Sequence, residues 1–191
     1  KFCIFVLCKG SFVKSDNKKD DEKIALITGA GSGIGLALTN FIVEKGCKVI
    51  AVDINEEALG NISDQANITI LPADLGDPEQ RKKVVEAGNG VHYLVNAAGA
   101  ILLKDIWDVT VEEWRTIQQV NAEATFFLCQ GVGAKMEPGG SIVNLSSSSA
   151  KLSTTVEAAA YAASKTTILS ITRSFAYALA KVPIRVNAVC P

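Results

Sequence analysis

Apolar and polar positions alternate along this chain in two kinds of segment. Short, nearly continuous apolar runs recur: "IALIT", "KVIAVD", "ITILP", "YLVN", "SIVNLS" and "RVNAVC". Runs this short, β-branched and apolar on both faces read as strands buried from above and below. They predict strands over 24–28, 48–53, 68–72, 93–96, 141–146 and 185–190. Longer amphipathic stretches lie between them and predict helices over 33–45, 56–65, 78–87, 111–135 and 158–181. The second is well marked, because Asn55 can cap it and Gly60 only weakens its middle. Strict alternation of strand and helix implies a parallel sheet with helices on both faces. The expected fold is α/β: a doubly wound, Rossmann-like, three-layer α/β/α domain over 23–191, with no repeat or linker inside it.

The two ends depart from that pattern. The run "KFCIFVLCKG" is too short to span a bilayer, and no small-residue cleavage site follows it. The charge run "KSDNKKDDEK" comes next, so residues 1–22 read as a flexible leader. At the other end the chain stops at Pro191, just after a strand, which predicts a domain truncated at its C-terminus. Composition narrows the function. A net charge of −1 offers no basic surface to nucleic acid or to an acidic membrane. The five cysteines are odd in number, scattered and without a Cys-x-x-Cys pair, which suits a reducing, cytoplasmic setting and no metal centre. A single histidine, His92, excludes a His-rich metal site.

Candidate chemistry begins at "ITGAGSGIG", where four glycines fall within nine residues. They lie on the turn from the first strand into the first helix, where amides and the helix dipole favour an anion. Gly29 permits the tight turn, Gly33 lets backbone meet phosphate, and Gly35 allows close helix–strand packing. Asp53 closes the second strand about twenty residues on, where a dinucleotide fingerprint places the acid that binds ribose. Such a carboxylate repels a 2′-phosphate. Position 32 is serine and position 54 isoleucine, so neither Ser32 nor Ile54 offers that phosphate a cation. NAD is therefore expected over NADP.

"YAASK" carries the second constellation. Tyr161 and Lys165 are four residues apart on a helix and share a face. A phenol has a pKa of about 10 and is a poor acid–base catalyst at neutral pH. A cation about 4 Å away, at an effective dielectric near 20, supplies about 4 kcal/mol against that handicap. Beside a dinucleotide site, the pair reads as a device for moving a proton.

Taken together the motifs resemble those of the short-chain dehydrogenase/reductase family, over about residues 23–191. They run in order: Thr28 through Gly35, Asp53, Asp74 in "ADLGD", "NAAG" at 96–99, Asn121 in "VNAEATF", the serines of "IVNLSSSS", "YAASK", and "IRVNAVCP". The resemblance implies hydride transfer between a nicotinamide and a secondary alcohol or ketone, a small-molecule substrate. Tyr161 would then exchange the proton with the substrate oxygen, and Lys165 would hold the nicotinamide ribose. Asn121 would kink its helix and keep a water linking Lys165 to solvent. Cofactor contacts are implied at Ser32 and Ile34 in the glycine turn, and at Ile54 beside Asp53. Others are implied at Asp74 and Leu75, along Asn96, Ala97, Ala98 and Gly99, and at Pro191. For Asn96 a buried amide that merely satisfies backbone groups is nearly as good a reading.

The family's serine is Ser147 when counted from the strand and Ser148 when counted back from Tyr161; Ser147 is favoured. Ser146 and Ser149 are expected to satisfy turn amides. His92 is expected to take a surface or packing role, and Trp107 and Trp114 to cap the core or an interface. The helices over 111–135 and 158–181 are apolar on more than one face, and the family pairs them across a two-fold axis. A homodimer or homotetramer is therefore expected. Past Pro191 the family continues with a glycine, a threonine-bearing segment, a substrate lid and a last strand. A non-catalytic dinucleotide-binding module is the rival reading. The segment over 53–74 also resembles the xylulose/carbonyl reductase branch, whose preference for NADP Asp53 opposes.

Overall fold

Residues 23–152 and 155–191 are described by the computed structural model; the expected leader over 1–22 lies outside them. Six parallel strands form one sheet: β1 (Ile24–Thr28), β2 (Lys48–Asp53), β3 (Ile68–Pro72), β4 (Tyr93–Asn96), β5 (Ser141–Leu145) and β6 (Arg185–Val189). Their order is β3-β2-β1-β4-β5-β6, so the chain winds one way from β1 and then the other way from β4. That reversal leaves a crevice at the carboxyl ends of β1 and β4, the ligand position of doubly wound sheets. In register, Thr28 faces Asn96 and Asn96 faces Asn144, which puts three polar side chains across the strand ends.

Leu26 and Ile27 are both fully buried although they point to opposite faces. One face packs Leu26, Leu94 and Ile142 against Val84, Leu128 and Val132. The other packs Ala25, Ile27, Val49 and Val95 against Leu36, Leu38 and Ile42. Burial on both sides is why these strands are almost wholly apolar rather than alternating. Along β4, β5 and β6 the second face also borders a groove of about 580 Å³, lined by Leu38, Ile42, Tyr93, Val143 and Val189 among others.

The helices are α1 (Gly33–Glu44), α2 (Glu56–Gly60), α3 (Pro78–Ala87), α4 (Val111–Gln118), α5 (Ala124–Gly133) and α6 (Ala159–Leu179). Caps behave as expected: Asn55 accepts from the Ala58 N–H, and Thr110 and Glu113 form a capping box. Two expected helices differ. The helix over 56–65 stops at Gly60, because both the backbone N–H and the hydroxyl of Ser63 bind the Gly60 carbonyl and close a turn. Glycine is also a poor helix former, by about 1 kcal/mol relative to alanine. The helix over 111–135 is interrupted by a π-helical turn, Gln119–Glu123. There the Thr125 hydroxyl takes up the Asn121 carbonyl at 2.7 Å, while the Asn121 side chain is drawn away to Ala100.

Candidate active site

At the end of β1 the backbone is crowded. Gly29 has φ +67°, and a Cβ there would lie 2.8 Å from the backbone nitrogen of Ala98. A Cβ on Gly35 would collide with the Gly29 carbonyl oxygen. Gly33 differs: φ is +51° and nothing lies within 4 Å of where its Cβ would point. The first turn of α1 carries no acidic residue, and its N-cap, Ser32, makes no side-chain capping bond. A glycine-walled turn with open space before an uncompensated helix N-terminus fits a pyrophosphate. Ile34 stands exposed on the same turn.

Asp53 ends β2 half-buried. Its Oδ2 accepts from the Gly31 N–H and its Oδ1 from the Asn55 N–H, both at 2.9 Å. The carboxylate thus ties the glycine turn to β2, and each oxygen keeps a lone pair for another donor. Gly31 was not singled out in the sequence, yet a Cβ there would meet Asp53 Oδ2 at 3.1 Å. Ile54 is 69% exposed. Beyond β3, Asp74 Oδ1 accepts from the Gly76 N–H at 2.8 Å. Leu75 turns its side chain into the core, and its carbonyl accepts from Arg81 at 2.8 Å. Arg81 also pairs with Glu123 at 2.6 Å and lies over the Phe127 ring, which fixes this loop against α5.

The stretch from Asn96 to Gly99 is held from two sides. The Thr28 hydroxyl accepts from the N–H groups of Ala97 and Ala98, each at 3.1 Å. Asn121, fully buried in the π-helical turn, accepts from the Ala100 N–H at 2.8 Å and donates to the Ala100 carbonyl at 2.9 Å. Its remaining amide hydrogen goes to Ser164 Oγ at 2.9 Å, and Ser164 donates to the Tyr161 carbonyl at 2.7 Å. A Cβ on exposed Gly99 would lie 3.1 Å from both Asn121 Oδ1 and Lys165 Nζ. Asn121, Gly99 and Lys165 therefore converge, although the chain separates them by 22 and 66 residues.

Lys165 is only 5% exposed. Its ammonium donates to the Leu145 carbonyl at 2.9 Å and sits 5.8 Å from the centre of the half-exposed Tyr161 ring. Burial pushes its pKa down to about 8. Ser146 donates to the Lys165 carbonyl at 2.8 Å, so it anchors a helix rather than a turn amide, contrary to expectation. Ser147 is extended and caps a short 3₁₀ turn, accepting from the Ser149 N–H at 3.2 Å. Ser148 is exposed, and its N–H donates to the Pro191 carbonyl at 2.8 Å. Deeper, Asn96 donates to Asn144 at 2.8 Å, and Asn144 donates to Thr172 on α6 at 3.0 Å. Asn144 and Ser146 thus pin α6 to β5 two turns apart, which sets the height of Lys165. The amide ladder leaves Asn96 Oδ1 without a partner. Beside it, burial pushes the Cys129 thiol up to about 12.

Other singled-out residues lie elsewhere. His92 Nδ1 accepts from the Ile24 N–H at the opposite end of the sheet, a packing role. Trp107 is almost fully exposed and does not cap the core, because the turn at Asp105 holds it outward. Trp114 is partly exposed. Among the described residues no helix is long and apolar enough to cross a membrane, and no cluster could hold a metal ion.

Comparison with known proteins agrees with this geometry. Residues 23–191 match the short chain dehydrogenase family. An uncharacterized oxidoreductase of Staphylococcus aureus (strain USA300) is 30% identical over 179 residues, covering 89% of this chain and 77% of that protein. An NAD-dependent glycerol dehydrogenase of Listeria innocua is 34% identical, covering 89% of this chain and 70% of that protein. Among solved structures, an angucycline C-6 ketoreductase with bound NADP superposes with a TM-score of 0.83 at 28% identity, covering 88% of this chain and 72% of that one. A 4-hydroxyisoleucine dehydrogenase complexed with NADH gives 0.80 at 31%, with the same coverages. The chain belongs to the short-chain dehydrogenase/reductase family and is an oxidoreductase that uses a nicotinamide dinucleotide.

Proposed function

We propose that the protein interconverts a secondary alcohol and a ketone, with Tyr161 as the general acid and base and NAD as the preferred dinucleotide. The observation that carries this reading is the buried Lys165 ammonium, one helical turn from Tyr161 and beside Gly99 and Asn121. Hydride exchange with a carbonyl carbon is the chemistry a bound nicotinamide supplies. The chain's own residues handle the proton. In reduction the Tyr161 hydroxyl gives its proton to the substrate oxygen as the carbonyl carbon gains the hydride; in oxidation it takes that proton back. The Lys165 ammonium, 5.8 Å from the centre of the Tyr161 ring, would stabilise the phenolate left behind. Ser147, on the strand end that carries the Leu145 carbonyl, is the proposed hydrogen-bond donor to the substrate oxygen, with Ser148 its rival. Asn121 spends its side chain on Ala100 and Ser164, so its part is to hold Gly99 and the first turn of α6 in place.

The glycine turn, Ser32 and Ile34 would hold the pyrophosphate, Asp53 the adenosine ribose, and Asp74 with Leu75 the adenine. Asn96 to Gly99 and Pro191 would line the nicotinamide half. Asp53 favours NAD, because its lone pairs suit ribose hydroxyls and its charge opposes a 2′-phosphate. Partly exposed Trp114, Phe126 and Phe127 on α4 and α5 support a homodimer or homotetramer through these helices and α6. The free thiols of Cys129 and Cys190 suit a cytoplasmic setting.

Tyr161→Phe tests the central assignment. Binding of NADH should persist while turnover falls by about a thousandfold; turnover near that of the unmodified protein would remove Tyr161 from the role. Lys165 supplies a second readout. Burial disfavours its charged form, so the ammonium is present below about pH 8 and lost above it. Turnover should decline as pH rises through that value, and Lys165→Arg should abolish the inflection.

A further inference from the structure

We infer that the substrate is uncharged and carries a bulky hydrocarbon body, seated on the loops that follow β4 and β5. This rests on the alcohol–ketone reading above. Six large apolar side chains stand exposed on these two loops: Ile101, Leu103, Ile106 and Trp107 on the first, Leu152 and Val156 on the second. Trp107 is 90% exposed, and Ile101 and Leu152 are each 66% exposed. Scattered single apolar residues on a surface need no explanation, but a concentration of them marks a place that meets an apolar partner.

The loops are joined and fixed at the reacting end of the site. The Lys104 N–H donates to the Glu157 carbonyl at 2.8 Å, which joins the two loops. Ile101 follows Ala100, whose N–H and carbonyl are both clamped by Asn121. Val156 opens the short turn that leads into α6, five residues before Tyr161. On the other side the Thr166 hydroxyl, one residue past Lys165, binds the Ala150 carbonyl two residues before Leu152. Trp107 sits on an ordered turn: Asp105 accepts from its N–H at 3.0 Å, and the Asp105 carbonyl accepts from Asp108. Hydrogen bonds thus tie both loops to each other and to the elements that carry Asn121, Tyr161 and Lys165.

Charge argues against an anionic substrate. Lys104 spends its ammonium on both carboxylate oxygens of Glu113, at 2.9 Å each. Asp105, Asp108 and Glu157 outnumber Lys151 on the same loops, which leaves them net negative. A carboxylate or phosphate ester would meet repulsion there, and a polyol would leave the apolar side chains in water. A neutral ring or branched-chain ketone suits both the apolar side chains and the charge.

The purified protein, supplied with NADH and in parallel NADPH, is assayed on 2-decalone and on dihydroxyacetone. One buried methylene is worth about tenfold or more in kcat/KM, so 2-decalone should be preferred by at least about a hundredfold. Trp107→Ala should reduce that ratio about tenfold. A ratio near one, or a preference for dihydroxyacetone, overturns the inference; if that turnover still depends on Tyr161, the alcohol–ketone reading survives. If neither ketone is turned over, the alcohol–ketone reading fails, and fluorescence decides the surface. In Trp114→Phe, where Trp107 is the remaining tryptophan, saturable quenching by 2-decalone supports the inference and a flat titration overturns it. An assembly that dissociates in Trp107→Ala while the substrate ratio stays unchanged also overturns it, because the surface then joins copies of the chain.

Discussion

At the end of β1 the site is made by leaving side chains out, whereas at the end of β5 it is made by burying polar ones. Around Gly29, Gly31 and Gly35, backbone meets backbone or a carboxylate at distances that a Cβ would violate. Around Lys165, the amides of Asn96, Asn121 and Asn144 and the hydroxyls of Ser146, Ser164 and Thr172 are buried and bonded in chains. The first region should not tolerate an added atom, and the second should not tolerate a deleted polar one. The two failures differ in kind, since crowding forces the backbone to move while deletion strands a polar partner away from water.

Gly35→Val presses hardest on this contrast. Its side chain would drive α1 away from the Gly29 carbonyl, costing about 3 kcal/mol in urea unfolding and most of the affinity for NADH. Next in size is the proposed contact of Asp53 with a ribose. The unmodified protein should favour NAD over NADP by about a hundredfold in kcat/KM, the worth of about 2.7 kcal/mol. Asp53→Ala should narrow that gap, and adding Ile54→Arg should invert it. Equal use of both dinucleotides by the unmodified protein would take Asp53 off the ribose.

Asn144→Leu probes the other region. It takes away the oxygen acceptor of the Asn96 amide, leaving that group only the weak contact with the Cys129 sulfur, beside an oxygen that already lacks a donor, and should cost about 2 kcal/mol. Replacing Asn96 by Leu as well should recover part of that loss, because no buried amide is then stranded and only the weak contacts of the Cys129 thiol are lost. Non-recovery would mean that the ladder acts through α6 rather than through satisfaction of its own groups. Gly33→Ala is the mildest of the set. Its space is open, so only the positive φ resists, at about 1 kcal/mol in melting or denaturant titration. Its effect on NADH affinity should exceed its effect on stability, the reverse of Asn144→Leu.

The glycine turn was legible in the sequence because its chemistry is local. Strand, glycines, helix and Asp53 lie within thirty residues, and each residue type has a backbone reason to be there. Tyr161 and Lys165 were legible for the same reason, being one helical turn apart. The bonds between these pieces were not. Nothing in "VNAEATF" says that Asn121 reaches back to Ala100, or that its helix opens into a π-helical turn to let it do so. Asp53 shows the same limit: the strand-end acid was evident, but its grip on Gly31 depends on the spacing of two strands. Gly60 misled in the other direction, because a helix-weakening residue became a helix end once Ser63 took its carbonyl.

By itself the sequence determined the order and kind of the elements, since apolar runs on both faces are stable only inside a parallel sheet, and helices between them must cover it. It determined as well which residue types stand at each strand end. Tertiary structure decided which of those ends meet. The order β3-β2-β1-β4-β5-β6 sets Asn96 beside Asn144 and Gly99 beside Lys165. The same packing buries the Lys165 ammonium deeply enough to lower its pKa to about 8. Desolvation and hydrogen bonding depend on what surrounds a group in space. Those surroundings are assembled here from segments more than sixty residues apart, so no local stretch of the chain contains them.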